Sequence, residues 1–374
     1  MAVEIPTDSQ LRHMFVEQLP LLDVRAPVEF QKGSFPGSTN LPLLTDEERA
    51  RVGTCYKQQG HDAAVALGHS LVCGEVRALR TQAWVEFVRR HPGCWLFCFR
   101  GGERSRLVQT WLKEAGTACP RIAGGYRFLR TWLLAAMERL LADDCPLQVL
   151  GGQTGVGKTR FLAGVPRALD LEGLANHRGS SFGRRPGGQP AQMSFEHRLA
   201  IDLLRKETQP GPLLVEDESR LIGCLSLPDA LFNKMQQAPV LLLEEPLEVR
   251  VQITFEEYIA KNLEESIGIH GPEQGFSHFS HQLIDSLDRI RKRLGGSRHQ
   301  QLRTTMEQAL YRHGTHQDPD GHKDWISTLL TSYYDPMYRH QLARKQHRIV
   351  FRGNRQQLQQ MLPLPPPTLA NLRL

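Results

Sequence analysis

The sequence predicts an α/β protein built on parallel sheets and followed by a helical, basic C-terminal region. Three observations predict it. Short apolar runs of strand length repeatedly end in a loop and pass into a helical pattern, as parallel α/β units do. One such loop is Gly152-Gln-Thr-Gly155-Val-Gly157-Lys158-Thr159, a full match to the Gly-x4-Gly-Lys-Thr phosphate-binding pattern. Beyond about residue 255 the apolar spacing turns helical and positive charge accumulates.

The elements follow in order. Leu21-Leu-Asp23-Val-Arg25 is an apolar run ending in charge, a buried strand. Gly33-Ser-Phe-Pro36-Gly37-Ser has turn chemistry, and Asn40-Leu-Pro-Leu-Leu is a second short buried element. Residues 45–90 are polar and mostly helical in pattern. Trp95-Leu-Phe97 is a buried strand that ends at Cys98, and Ser105 to Ala115 is a helix with Leu107, Val108, Trp111 and Leu112 on one face. A helix over roughly Arg127–Leu141 closes the first domain, expected to cover residues 1–142. A second, covering 143–280, opens with the strand Leu147–Leu150, the phosphate loop and a helix beginning near Thr159. Pro212–Val215 and Pro239–Leu243 are apolar runs that end in acids, expected as central parallel strands. Residues 281–374 form the helical basic region. Its tail, Leu362-Pro-Leu-Pro-Pro-Pro367, is expected to be extended or disordered.

The 374 residues suit two or three domains. No apolar run approaches the ~18 residues that span a bilayer, and the N-terminus lacks the basic and apolar regions of a signal peptide. A cytoplasmic protein with no membrane partner is expected. The seven cysteines are scattered and form no Cys-x-x-Cys pair, which speaks against a zinc site or a disulfide framework. Residues 289–355 hold 14 Lys/Arg against 5 Asp/Glu, a local balance of +9, so the rest of the chain carries −3 of the overall +6. Segregated positive charge is the footprint of a polyanion such as RNA. Trp325, Tyr333, Tyr334, Tyr338 and Phe351 lie among these charges. They could stack on unpaired bases or pack a core.

Two loops carry chemistry. In Cys98-Phe-Arg100-Gly101-Gly102-Glu-Arg104-Ser105, backbone N–H groups lead into a helix N-terminus beside a cysteine. Such a setting favours a thiolate and can hold an anion next to it. Arg100 and Arg104 add positive charge. In the second loop, Gly152, Gly155 and Gly157 free backbone N–H groups to wrap phosphates. Lys158 neutralises charge, and the Thr159 hydroxyl can ligate Mg²⁺. A nearby strand should end in a further acid for the metal, Asp217 first and Glu244 second. The motif calls for a phosphate or diphosphate and does not specify ATP.

Residues 15–135 resemble the rhodanese family. The resemblance rests on Leu22-Asp23-Val24-Arg25-Ala-Pro-Val-Glu29-Phe30, Gly33 to Asn40, the Cys98 loop and Gly124-Gly125-Tyr126. It implies a rhodanese-like parallel-sheet domain with Cys98 as a persulfide- or perselenide-carrying residue and Asp23 and Arg25 as structural charges. Five residues separate Cys98 from Arg104, as in rhodanese-like phosphatases. Those phosphatases usually place His before the cysteine, whereas this chain has Phe97.

A rhodanese-like domain followed by a P-loop domain resembles the tRNA 2-selenouridine synthase family. The segments Ala168 to Gly183 and Glu216-Asp-Glu-Ser-Arg220-Leu-Ile-Gly223 are similar to stretches typical of it. The resemblance implies action on tRNA carrying 2-thiouridine at the wobble position. The sulfur is first alkylated by geranyl diphosphate, and the S-geranyl group is then replaced by selenium from selenophosphate. It makes Cys98 and Arg104 the catalytic pair and the P-loop, with Mg²⁺, the seat of the diphosphate. His177 and Arg178 are candidates for shaping the prenyl or base pocket. The alternative is an ATP-dependent tRNA-uridine sulfurtransferase in which Cys98 carries sulfur. A nucleotide-regulated RNA-binding module and a protein phosphatase are further readings.

Overall fold

The computed structural model describes residues 3–142 and 145–362. The proline-rich tail falls outside these residues, apart from Leu362. The chain divides into two compact units. One holds residues 1–140 and 191–207, the other residues 141–190 and 208–374.

The first unit is built on a five-stranded sheet of β1 (Val3–Glu4), β2 (Leu21–Asp23), β3 (Ser38–Asn40), β4 (Trp95–Phe97) and β5 (Arg121–Ile122). The order is β1-β5-β4-β2-β3, with every pairing parallel. Strand β2 is buried along its whole length and β4 along its last two residues, which is why their sequences read as continuous apolar runs rather than alternating ones. Residues 45–90 form three helices, Asp46–Gln59, His61–Leu71 and Gly74–Arg90. The first starts on a Thr45/Glu48 capping box. The helices expected after Cys98 and near Arg127 are Glu103–Glu114 and Gly125–Leu140.

One helix of this unit comes from a distant stretch of sequence. Gln192–Lys206 packs on Gly125–Leu140 and buries Phe195, Leu199, Ala200 and Ile201, all essentially inaccessible. A fully buried Phe or Leu contributes roughly 1.5–3 kcal/mol, against about 0–1 kcal/mol for a surface ion pair. Apolar burial therefore holds this helix, and polar contacts fix its register. Arg130 pairs with Glu196 at 2.6 Å, the Ser34 amide donates to Ser194 Oγ at 3.1 Å, and Arg205 donates to the Val16 carbonyl at 2.8 Å. This differs from a contiguous 143–280 domain, because tertiary packing rather than chain order assigns the helix.

The second unit is built on β6 (Leu147–Gly152), β7 (Ala168–Leu169), β8 (Leu213–Glu216), β11 (Val240–Leu243) and β12 (Ile349–Gly353), with a small antiparallel hairpin of β9 (Leu221–Ile222) and β10 (Leu225–Ser226). The sheet order is β12-β11-β6-β8-β7, all parallel. From β6 the chain moves first toward β8 and β7 and later to β11 and β12. The carboxyl ends of β6 and β8 therefore border a crevice of the kind that holds ligands in open α/β sheets. Residues 281–362 belong to this unit rather than standing apart, since β12 adds the edge strand beside β11. Helices of this region form a second core around Phe279, Leu287, Met306, Trp325 and Tyr334. Trp325, Tyr333 and Tyr334 are buried there, and Phe351 packs against the sheet core. These side chains are packed in or against cores rather than displayed on the surface for base stacking. Two π-helical turns, Glu256–Ala260 and Leu330–Tyr334, interrupt helices of this unit.

Candidate active site

Cys98 follows β4 directly, at the carboxyl end of the first sheet. Its loop is gripped from below by Gly124-Gly125-Tyr126. The Tyr126 amide donates to the Cys98 carbonyl at 2.8 Å and the Arg127 amide to the Phe99 carbonyl at 3.1 Å. A Cβ on Gly125 would collide with the Cys98 carbonyl, and Gly125 has φ +57°, so only glycine allows this approach. The thiol is 3% exposed, and its Sγ lies 3.2 Å from Ser105 Oγ.

The charges expected near Cys98 are arranged more specifically than the sequence indicates. Arg25 and Asp23 form a fully buried pair at 2.6 Å. Arg25 also donates to the Gly33 carbonyl at 2.8 Å and lies 3.9 Å above the Tyr126 ring, while Asn40 donates to the carbonyls of Asp23 and Arg25. The separate motifs thus meet as one scaffold. Arg104 does not stand open to an incoming anion: it is bidentate to Glu29, at 2.5 and 3.1 Å. Burial works against the Arg104 charge, but Glu29 outweighs it and the Arg104 pKa is raised. An anion beside Cys98 must compete with Glu29 for Arg104. Arg100 is exposed. A residue missed in the sequence is Arg121 of β5, 7% exposed, which donates to the Gly101 carbonyl and braces the loop. Cys94 is a packed residue, 3.9 Å from Cys119 sulfur to sulfur.

In the second unit, the phosphate loop leaves β6 and enters the short helix Lys158–Leu162. Gly155 and Gly157 have φ +84° and +79°, which turns their amides inward at no steric cost. Behind the loop, Arg250 is pinned by Asp335 at 2.6 Å and donates to the Thr154 carbonyl at 3.0 Å. Lys158 Nζ donates to the Gly152 carbonyl at 3.2 Å.

The acid that meets Thr159 is Glu216, not Asp217. The Thr159 hydroxyl donates to Glu216 Oε1 at 2.8 Å and lies 3.3 Å from Glu172 Oε2. Glu216 also accepts the Glu172 amide at 3.0 Å. Asp217 instead pairs with Lys345 at 2.5 Å. Strands β6 and β8 pair in a register that sets Glu216, fully buried, opposite Leu150, and Asp217 follows just past the strand end. Glu244 pairs with Arg352. Burial, reinforced by neighbouring carboxylates, pushes Glu172 and Glu216 up to about 8 and Glu218 up to about 7. Gly179 has φ +59°, and a side chain there would strike the Glu172 and Glu218 carboxylates. Among the described residues no group of three or more His, Cys, Asp or Glu forms a ready metal cage.

The loop opens on a cavity of about 430 Å³. Gly152, Gly155, Gly157, Lys158 and Thr159 line one side, with Glu172, Asp217 and Glu218 beside them. Arg178, Arg185 and Lys261 add positive charge, and Tyr258, Tyr334 and Tyr338 form an aromatic wall. The candidates His177 and Arg178 separate here. Arg178 lines the cavity and is 6% exposed; its guanidinium sits 5.6 Å from the centre of the Tyr258 ring. His177 is not among the lining residues. It is buried, and burial together with the surrounding arginines pushes its pKa down to about 4, so it is a neutral packing residue at neutral pH.

A family model described as "tRNA 2-selenouridine synthase AAA domain" matches residues 145–364. The chain belongs to the tRNA 2-selenouridine synthase family. It is similar to a protein of that name from Pseudomonas syringae pv. tomato, 51% identical over 92% of this chain and 94% of the relative. Another of that name, from Bordetella petrii, is 50% identical over 95% of each chain. Family membership thus extends over both units. Among the described residues no helix is long and apolar enough to cross a membrane.

Proposed function

We propose that this chain is an enzyme that converts 2-thiouridine at the wobble position of tRNA into 2-selenouridine, through S-geranyl-2-thiouridine. Membership of the synthase family supports the overall conversion. The single observation that carries the first stage is the cavity that joins a complete phosphate loop to a wall of three tyrosines. A diphosphate with an apolar tail needs both.

In the first stage the thiocarbonyl sulfur attacks the first carbon of geranyl diphosphate. A C–S bond forms, the C–O bond breaks, pyrophosphate departs and the N3 proton of the base is released. The loop amides and Lys158 stabilise the charge that grows on the leaving oxygens. Mg²⁺ fits the residues present. Thr159 and Glu216 would hold it, with Glu172 close by, because this ion takes one or two carboxylates plus substrate phosphates rather than a closed cage. The metal would supply neutralisation of the diphosphate.

Alkylation turns a poor leaving group into a thiolate that can depart. In the second stage the selenium of selenophosphate attacks C2, a C–Se bond forms, the C2–S bond breaks and geranylthiolate leaves; water then cleaves the Se–P bond and phosphate is released. We assign Cys98 and its loop, with Arg104, to holding selenophosphate and handing over selenium. The exposed cations Arg291, Lys292, Arg293 and Arg298 are assigned to tRNA phosphates.

The test uses purified protein and tRNA carrying 2-thiouridine, given geranyl diphosphate with Mg²⁺ and then selenophosphate. Digested nucleosides are weighed. A geranyl mass gain, then exchange of S-geranyl for selenium, is expected. No mass change at either step overturns the reading.

A further inference from the structure

The phosphate cavity continues into a second, smaller space within the same unit. This slot has a volume of about 20 Å³ and is lined on one side by Phe182, Trp325, Ile326, Leu329 and Leu330. Thr154, Ser180, Tyr258 and Tyr334 line both spaces, so the slot begins where the phosphate loop ends. The side formed by these five residues is apolar. Phe182 stacks on Trp325 with ring centroids 5.8 Å apart. A nucleobase there would leave its ring N–H and carbonyl groups without partners, which is costly in a buried site. A hydrocarbon would lose nothing.

The walls of the slot are also unusual in backbone. Tyr258 sits in the π-helical turn Glu256–Ala260, while Leu330 and Tyr334 sit in the π-helical turn Leu330–Tyr334. Single π turns inside α-helices are rare and occur mostly at functional sites. Two of them in separate helices contribute walls to this one slot. Tyr258 is held in place by its hydroxyl, which donates to the Arg178 carbonyl at 3.1 Å.

We propose that this slot receives the far end of the donor's prenyl tail and acts as the ruler that sets its chain length, with Ile326 and Leu329 at the stop. The inference rests on the reading that the cavity holds a prenyl diphosphate. The larger cavity takes the diphosphate and the first part of the chain along the tyrosine wall. The slot, with space for one water-sized group, takes one terminal methyl group of the tail. A tail one isoprene unit longer would meet the stop, and a shorter one would leave the slot unfilled.

The experiment compares dimethylallyl, geranyl and farnesyl diphosphates as donors to 2-thiouridine tRNA, with nucleoside masses as the readout. Leu329→Ala should raise the use of farnesyl relative to geranyl by about tenfold, the scale on which apolar pockets separate chain lengths. Leu329→Trp should lower the use of geranyl by about tenfold and leave dimethylallyl transfer nearly unchanged. Inorganic pyrophosphate, measured by calorimetry, should bind both variants as it binds the unmodified chain, which confirms that the phosphate site is intact. If Leu329→Trp does not fold, the Leu329→Ala ratio alone decides. Donor ratios that stay the same in folded variants with normal pyrophosphate binding overturn the ruler and leave the diphosphate reading standing. No alkylation by the unmodified chain with any of the three donors overturns both.

Discussion

The Thr159 hydroxyl donates to Glu216 Oε1 at 2.8 Å, joining the phosphate loop to the end of the neighbouring strand. The acid that meets Thr159 thus stands one residue before Asp217, the acid expected from the sequence. The contact sets a fully buried carboxylate against the first turn of the helix that follows the loop.

Lys158→Ala should lower geranylation by about 100-fold or more, since it removes a charge that acts on the departing diphosphate. Glu216→Gln should lower it on a similar scale and raise the Mg²⁺ concentration needed for half-maximal rate. Asp217→Asn should do neither, because Asp217 is engaged by Lys345. Single-turnover alkylation at varied Mg²⁺ checks all three. An Asp217 variant with the larger Mg²⁺ effect would reverse the assignment.

Cys98→Ser should abolish selenation and leave geranylation intact, so S-geranyl-2-thiouridine should accumulate when both donors are present. The variant should fold, because Ser replaces a buried thiol already beside the Ser105 hydroxyl. Loss of both stages in a folded protein would show that the stages are not separable.

Binding of tRNA should weaken steeply with salt, because each neutralised phosphate releases counterions. Replacing Arg291, Lys292 and Arg293 with Ala should weaken binding of all tRNAs and flatten the salt slope by roughly one per lost phosphate contact. Filter binding across a salt series measures both. An unchanged slope would place the tRNA surface elsewhere.

His197 gives the first unit an acid-sensitive joint. Its Nδ1 lies 3.0 Å from the Ser34 carbonyl and its Nε2 3.0 Å from Arg130, so the neutral ring donates to one and accepts from the other. Burial pushes its pKa down to about 4 from 6.5. The unfolded chain therefore takes up a proton that the folded chain refuses. The stabilisation is complete above pH 6.5 and is lost as pH falls toward 4. His197→Gln keeps a donor and an acceptor but does not titrate. Between pH 7 and pH 5 the unmodified protein should lose roughly 4–8 °C more in Tm than this variant. Equal losses would mean that His197 does not titrate between the two states.

Much of the site was legible because it is local. A phosphate loop works through consecutive backbone amides and their glycines, so Gly152 to Thr159 can be read in one stretch. The Cys98 loop can be read for the same reason, and buried parallel strands announce themselves as short apolar runs. Strand β12 was missed because its apolar residues Ile349, Val350 and Phe351 stand amid basic and helical patterns and its burial alternates between partly buried and exposed.

By itself the sequence determined the α/β class, the two loops and the family resemblance, since each depends on residues adjacent in the chain. Only the tertiary structure decided that Gln192–Lys206 belongs to the first unit, that Glu29 occupies Arg104, and that Arg178 but not His177 reaches the cavity. It also decided that Thr159 meets Glu216 while Asp217 pairs with Lys345. These outcomes depend on strand register and on which apolar faces find each other across long separations, and neither is encoded in any single stretch of residues.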